Sequence, residues 1–264
     1  MSELRLSAAW WCLSRKGVEA EGVFARLAAA GYAAVEMAEE GDWAAARSVG
    51  LGLLNIAGPG MTEGMNDAEH CEVVIPQLLE KIELAAANGI PQVIVFSGNR
   101  RVIGGARGER GDEQGRRQLV AALRLVAPVA EIKGVTLLLE LLNSHEHANY
   151  QCDSAGYAFA TVRDVGSTHV KVLFDIYHSH RMGEDPLPLI LENLAAIGHL
   201  HVAGSPGRDA PSALSDEQRI DYGKILPAVL GAGYGGHVGV EFCGGDDVVE
   251  QYERAAGLLR GYAG

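Results

Sequence analysis

The sequence predicts an α/β chain folded as a closed (β/α)8 barrel, a single domain over residues 1–264. Three observations carry the prediction. Eight short apolar runs are each followed by a helical segment, no linker or low-complexity tract interrupts them, and four consecutive runs end at Glu140, Asp175, His201 and Glu241. Strands that alternate with helices imply a parallel sheet. Eight such units in about 250 residues imply closure. An open doubly wound sheet is the alternative, and it usually has fewer strands.

The elements follow in order. Leu4–Trp10 is the first strand, and Glu21–Ala30 a helix stopped by Gly31. Ala33–Met37 is the second strand and delivers Glu36; Asp42 is placed to cap a short helix through Val49. Gly52–Ile56 is the third strand, closed by the loop signal Gly58-Pro59-Gly60. Glu69–Asn88 is a long amphipathic helix in which Pro76 marks either a first turn or a kink. Gln92–Phe96 is the fourth strand. Gly98–Gly115 reads as a polar loop, and a helix runs from Arg116 to Lys133 with a kink at Pro128.

Thr136–Leu139 is the fifth strand and ends in Glu140; Ser154 caps a helix through Val165. Val170–Phe174 is β-branched and apolar, as buried parallel strands are, and ends in Asp175. A helix over Pro186–Leu194 precedes the seventh strand, His199–Val202, which carries His201. After the loop Gly204–Gln218, Asp221 caps a helix through Leu230, Val238–Val240 ends in Glu241, and Asp246–Gly261 is the last helix.

Composition narrows the function. A net charge of −12, from 34 acidic and 22 basic residues, argues against a nucleic-acid partner, which calls for a basic face. No apolar stretch approaches the roughly 18 residues that span a bilayer, and the N-terminus lacks the pattern of a signal peptide. Cys12, Cys71, Cys152 and Cys243 form no CxxC pair, so neither a zinc knuckle nor a redox motif is indicated. A soluble protein of the reducing cytoplasm is expected.

On a barrel, four consecutive strands put Glu140, Asp175, His201 and Glu241 side by side on the C-terminal rim. Singly, such residues are usually caps, surface charges or core. Together, three carboxylates would raise one another's pKa, and a divalent cation removes that conflict. Oxygen ligands with one imidazole suit Mg²⁺, Mn²⁺ or Co²⁺, and Zn²⁺ less specifically.

The segments LLLELLN (Leu137–Asn143), VKVLFDIYH (Val170–His178), GHLHVAGSPGR (Gly198–Arg208), DYGKIL (Asp221–Leu226) and GVEF (Gly239–Phe242) carry a resemblance. In order and spacing the chain resembles the xylose-isomerase-like TIM barrels, most closely the hydroxypyruvate isomerases. The match is densest over Val135–Phe242 and looser before it, where GYAAVEM still fits. The resemblance implies one Mg²⁺ or Mn²⁺ held by Glu140, Asp175, His201 and Glu241, with Glu140 and Glu241 as the proton-transfer pair. It implies substrate contact for His178 and Arg208. Two positions depart from the isomerases: His201 stands where they commonly carry glutamine, as ketose 3-epimerases do, and Leu141 where they commonly carry proline.

These residues suit the interconversion of hydroxypyruvate and tartronate semialdehyde, or of a related small keto acid or sugar. A proton leaves the carbon next to a carbonyl through an enediolate and returns to the neighbouring carbon. A ketose 3-epimerase would use the same groups on the two faces of one carbon. A DNA-repair endonuclease on the same barrel would need more zinc ligands and a basic groove. A sugar-acid binding protein would not need both carboxylates. The expected partner is therefore a small molecule, with no nucleic acid and no membrane. Barrels of this type commonly associate through their outer helices, so a homo-oligomer is an open expectation.

Other signals are weaker. His145 and His147 lie in a segment that reads as a solvated loop, and His180 is similar. Glu36 is placed either to accept a substrate hydroxyl or to bind a nearby backbone N–H. Trp10 and Trp11 suit a pocket wall, the core or an interface. The segment with Arg100, Arg101, Arg107 and Arg110 lacks the GK[ST] ending of a phosphate loop and reads equally as a lid or as solvated chain.

Overall fold

The computed structural model describes residues 3–14, 18–100, 109–213, 215, 219–244 and 247–264. Its strands are β1 Arg5–Ala9, β2 Ala34–Glu36, β3 Gly52–Ala57, β4 Gln92–Val95, β5 Thr136–Glu140, β6 Val170–Asp175, β7 Ile197–Val202 and β8 His237–Val240. They are ordered as in the chain in a closed barrel, and β8 pairs parallel with β1 to complete it. The helices are α1 Trp10–Leu13, α2 Ala20–Ala29, α3 Trp43–Ser48, α4 Ala68–Ala87, α5 Glu109–Lys133, α6 Ala155–Val165, α7 Ile176–Arg181, α8 Pro186–Asn193, α9 Tyr222–Gly231 and α10 Val248–Ala263. None of them, among the described residues, is long and apolar enough to cross a membrane.

The chain divides into two compact units. The first comprises Met1–Asn55, Asp185–Leu194 and His199–Gly264. Here β1 pairs with both β2 and β8, and β7 pairs with β8 in the register His201↔Gly239. Trp10 packs on Phe24 of α2 with ring centroids 4.4 Å apart, and Phe242 stacks on Tyr252 of α10 at 4.4 Å. The Tyr32 hydroxyl donates to the Tyr252 carbonyl at 2.8 Å. Cys12 and Cys243 are joined by a disulfide, a bond that does not suit the expected reducing compartment.

The second unit comprises Ile56–Glu184 and Ala195–Gly198. β5 stands between β4 and β6, in the registers Leu137↔Val170 and Glu140↔Leu173. Leu137, Leu138 and Leu139 are all buried, as a strand covered on both faces requires. Phe159 of α6 stacks on Phe174 of β6 at 5.8 Å. Burying a side chain of that size contributes about 2–3 kcal/mol.

Several local expectations need correction. Asp42 does not cap α3; its Oδ2 accepts from the Trp10 indole at 2.7 Å. A buried indole N–H requires an acceptor, and that demand prevails over the cap. α5 begins at Glu109, inside the segment read as a loop, because Glu109–Gly115 continues the helix that was placed from Arg116. Pro76 lies inside α4 and is not a first-turn residue; Pro128 lies inside α5, where it was expected. Asp175 begins a helix, α7, that the sequence did not suggest.

Candidate active site

In the second unit, Glu140 and Asp175 are the last residues of β5 and β6. Glu140 pairs with Leu173, and Asp175 lies two residues further, so alternation sends both side chains to one face. Both are buried, and their carboxylates approach within 4.8 Å. Asp175 also caps α7: its Oδ1 accepts from the His178 backbone N–H at 2.9 Å. The cap brings the His178 ring back over the carboxylate, with Nε2 3.7 Å from Oδ2.

His178 has a defined orientation. Its Nδ1 faces the Asn143 side-chain N–H₂ at 2.6 Å and the Asn143 backbone N–H at 3.2 Å. Two donors at one ring nitrogen require it to accept, which leaves the proton on Nε2. His147 packs its ring edge-on to His178 at 5.8 Å, so it is more than solvated loop. Glu146, His147 and His178 form one group able to hold a metal ion, although Glu146 is exposed and accepts from the Tyr177 hydroxyl. His145 is exposed as expected, and His180 is half-buried in α7. Arg100 is engaged by Asp112 at 2.8 Å and Asp153 at 2.7 Å. Of the segment 98–115, read equally as a lid or as solvated chain, residues 101–108, with Arg101 and Arg107, lie outside the described residues, and Arg110 falls within α5.

In the first unit, Glu241 follows β8 directly and is buried. Its Oε1 accepts from the Trp11 indole at 2.8 Å, and its Oε2 from Arg208 at 2.6 Å, with His201 Nδ1 3.2 Å away. Burial alone would push this carboxyl upward, but His201 and Arg208 together hold it well below the usual carboxylate range. Arg208 has a left-handed backbone, φ 54°, and its guanidinium lies over the Trp11 ring at 5.8 Å. Trp11 is thus half-exposed and engaged by Glu241 and Arg208, whereas Trp10 is core.

Sequence reasoning missed the surroundings of Glu36. This carboxylate meets side chains rather than the backbone N–H that was one expectation for it. It is wholly buried and meets four side chains: Ser7 Oγ at 2.6 Å and His199 Nε2 at 3.0 Å on Oε1, Asn55 Nδ2 at 2.6 Å and His201 Nε2 at 2.9 Å on Oε2. Burial opposes its charge, but His199 and His201 hold it well below the ordinary range. Glu36, His199 and His201 form a second group able to hold a metal ion. The signal available in the sequence was the HLH alternation, which puts His199 and His201 on one face of β7.

A closed barrel of eight parallel strands, with acids buried at the strand ends, defines the class of (β/α)8 barrels. The chain belongs to the xylose isomerase-like TIM barrel family, whose profile matches residues 24–262. It is 30% identical over 266 residues to the putative hydroxypyruvate isomerase of Homo sapiens, covering 95% of this chain and 93% of that one. It is 39% identical over 130 residues to the putative hydroxypyruvate isomerase of Streptomyces coelicolor, and that match spans 47% of this chain and about half, 45%, of the relative. Among solved structures, a D-psicose 3-epimerase from Clostridium cellulolyticum H10 superposes with a TM-score of 0.81 at 18% identity, covering 98% of this chain and 99% of that one. At that identity it shows the fold alone.

Proposed function

We propose that the chain is a metal-dependent isomerase that interconverts hydroxypyruvate and tartronate semialdehyde, or a closely related small keto acid, and that residues 1–264 act as one domain. Glu140, Asp175, His201 and Glu241 would hold one Mg²⁺ or Mn²⁺. The donor set fits such an ion: three carboxylates and one imidazole, all four buried. Buried like charges need a counter-charge. A divalent cation there supplies Lewis-acid stabilisation of the negative charge that develops on the substrate oxygens.

The protein's own groups do the rest. Glu140 and Glu241 serve as the proton-transfer pair: one, ionised, takes a proton from the carbon beside the carbonyl, the other, protonated, gives one to the neighbouring carbon, and exchange with solvent resets both. His178, which carries its proton on Nε2, donates to a substrate oxygen. Arg208 holds the substrate carboxylate. Transfer of Arg208 from Glu241 to that carboxylate raises the basicity of Glu241 when an acidic substrate is present. The observation that carries this assignment is the buried Glu241, kept ionised between Arg208 and His201 at a strand end.

His201 favours a second reading, a ketose 3-epimerase, because the resemblance associates histidine at this position with those enzymes. A panel of hydroxypyruvate and free ketohexoses separates the two. Turnover of hydroxypyruvate that is lost on chelation and restored by Mg²⁺ or Mn²⁺ is expected. Preferential conversion of a ketohexose supports the epimerase, and full turnover in exhaustively chelated protein overturns both.

A further inference from the structure

We propose that Glu36 is a positioning residue that fixes which nitrogen of His201 is presented to the cation; this rests on the metal-dependent reading above. Glu36 lies in β2, four residues before the 3-10 turn Glu40–Asp42, and reaches the rings of β7. A carboxylate only accepts, so the 2.9 Å contact from His201 Nε2 to Glu36 Oε2 requires the proton on Nε2. Nδ1 is then the nitrogen left to face a cation, and it is the one turned towards Glu241, 3.2 Å from its Oε2. Without the carboxylate, the ring would be free to carry its proton on either nitrogen and to turn.

Three features make Glu36 suited to the task. First, it is itself immobilised. Ser7 and Asn55 each donate to it at 2.6 Å, and His199 Nε2 meets its other oxygen at 3.0 Å. Second, the two imidazoles brace one another edge to face, with centroids 4.9 Å apart at 86°. Third, the space is made by Gly239, the residue of β8 that pairs with His201. A Cβ at Gly239 would fall 2.2 Å from Glu36 Oε1, 2.6 Å from His201 Cδ2 and 2.8 Å from His199 Nε2. The glycine two residues before Glu241 is thus demanded by the carboxylate–imidazole cluster, and the same strand that supplies a ligand leaves room for the group that aims another.

Outer groups that orient a ligating histidine typically change metal affinity by 10–100-fold when removed. The test uses wild-type protein labelled with ¹⁵N-histidine, with resonances assigned through His199→Asn and His201→Gln. Long-range ¹H–¹⁵N correlations are expected to show the His201 proton on Nε2 in both cation-free and Mg²⁺-loaded protein. A His201 protonated on Nδ1, with Nε2 bare, overturns the proposal without reference to activity. Glu36→Gln, checked for folding by circular dichroism, is expected to mix the two tautomers and to weaken Mg²⁺ binding by roughly 10–100-fold in calorimetry, with Glu36→Asp recovering part of the loss. Unchanged affinity in a folded Glu36→Gln protein with scrambled tautomers also overturns it. If wild-type protein binds no Mg²⁺ or Mn²⁺ while His201 keeps its proton on Nε2, the metal-dependent reading fails and the orientation of the ring stands.

Discussion

At the end of β8, Glu241 is met by an indole, a guanidinium and an imidazole, all supplied by its own unit. At the ends of β5 and β6, Glu140 and Asp175 are two carboxylates within 4.8 Å of each other, and Asp175 gives one oxygen to the first turn of α7. The first arrangement places positive charge and donors around an acid. The second places like charges together, which costs free energy that an incoming cation would relieve. Loss of a carboxylate should therefore have opposite consequences in the two places, although both are assigned to one reaction.

The largest effect expected is on turnover. Glu241→Gln keeps the size of the side chain and removes its capacity to exchange a proton, and hydroxypyruvate conversion should fall by about 10²–10⁴-fold while the circular dichroism spectrum is retained. Near-normal activity would remove Glu241 from the chemistry. Stability comes next. In cation-free protein, Glu241→Ala leaves Arg208 facing a buried gap and should cost about 3 kcal/mol by denaturant titration. Asp175→Asn retains an α7 cap and removes one of two like charges; its cation-free unfolding midpoint should match or exceed that of the wild type, while its Mg²⁺ affinity falls. If both variants were destabilised alike, the contrast between the two places would be wrong.

The smallest effect concerns the other end of β8. Burial, with Arg5 next in weight, lowers the His237 pKa to about 4. Between its ordinary value near 6.5 and about 4, the unfolded chain takes up a proton that the folded chain refuses, so stability should fall as the pH drops through that window. His237→Asn should flatten the slope there in pH-dependent unfolding. The depressed pKa of Glu241 works in a different window: its contribution is present above the ordinary carboxylate range and is lost below it. An unchanged slope in His237→Asn would show that the start of the strand does not titrate separately from its end.

The barrel was legible because its strands are local signals. LLLE, VLFD and GVE each announce a buried strand that stops at an acid, and the structure ends β5 and β6 on Glu140 and Asp175. What was not legible depends on partners far away in the chain. Asp42 reads as a cap, but an indole 32 residues earlier claims it. Glu36 and His199 are 163 residues apart, and nothing local to GYAAVEM announces that its glutamate meets two imidazoles. Nothing local to GVEF explains Gly239, whose reason lies on β2 and β7. Arg208 was expected on a substrate, and here it donates to Glu241. Local sequence discloses which residue ends a strand, and it is much less informative about which hydrogen bond that residue makes.

The bond between Cys12 and Cys243 spans a sequence separation of 231 residues. It makes most of the polypeptide a covalent ring, from which only the two tails emerge. One peptide cleavage between Leu13 and Phe242 would open the ring without dividing the molecule. The fragments would travel as one species until a thiol reagent parted them. A single proteolytic nick in this protein is thus chemically concealed.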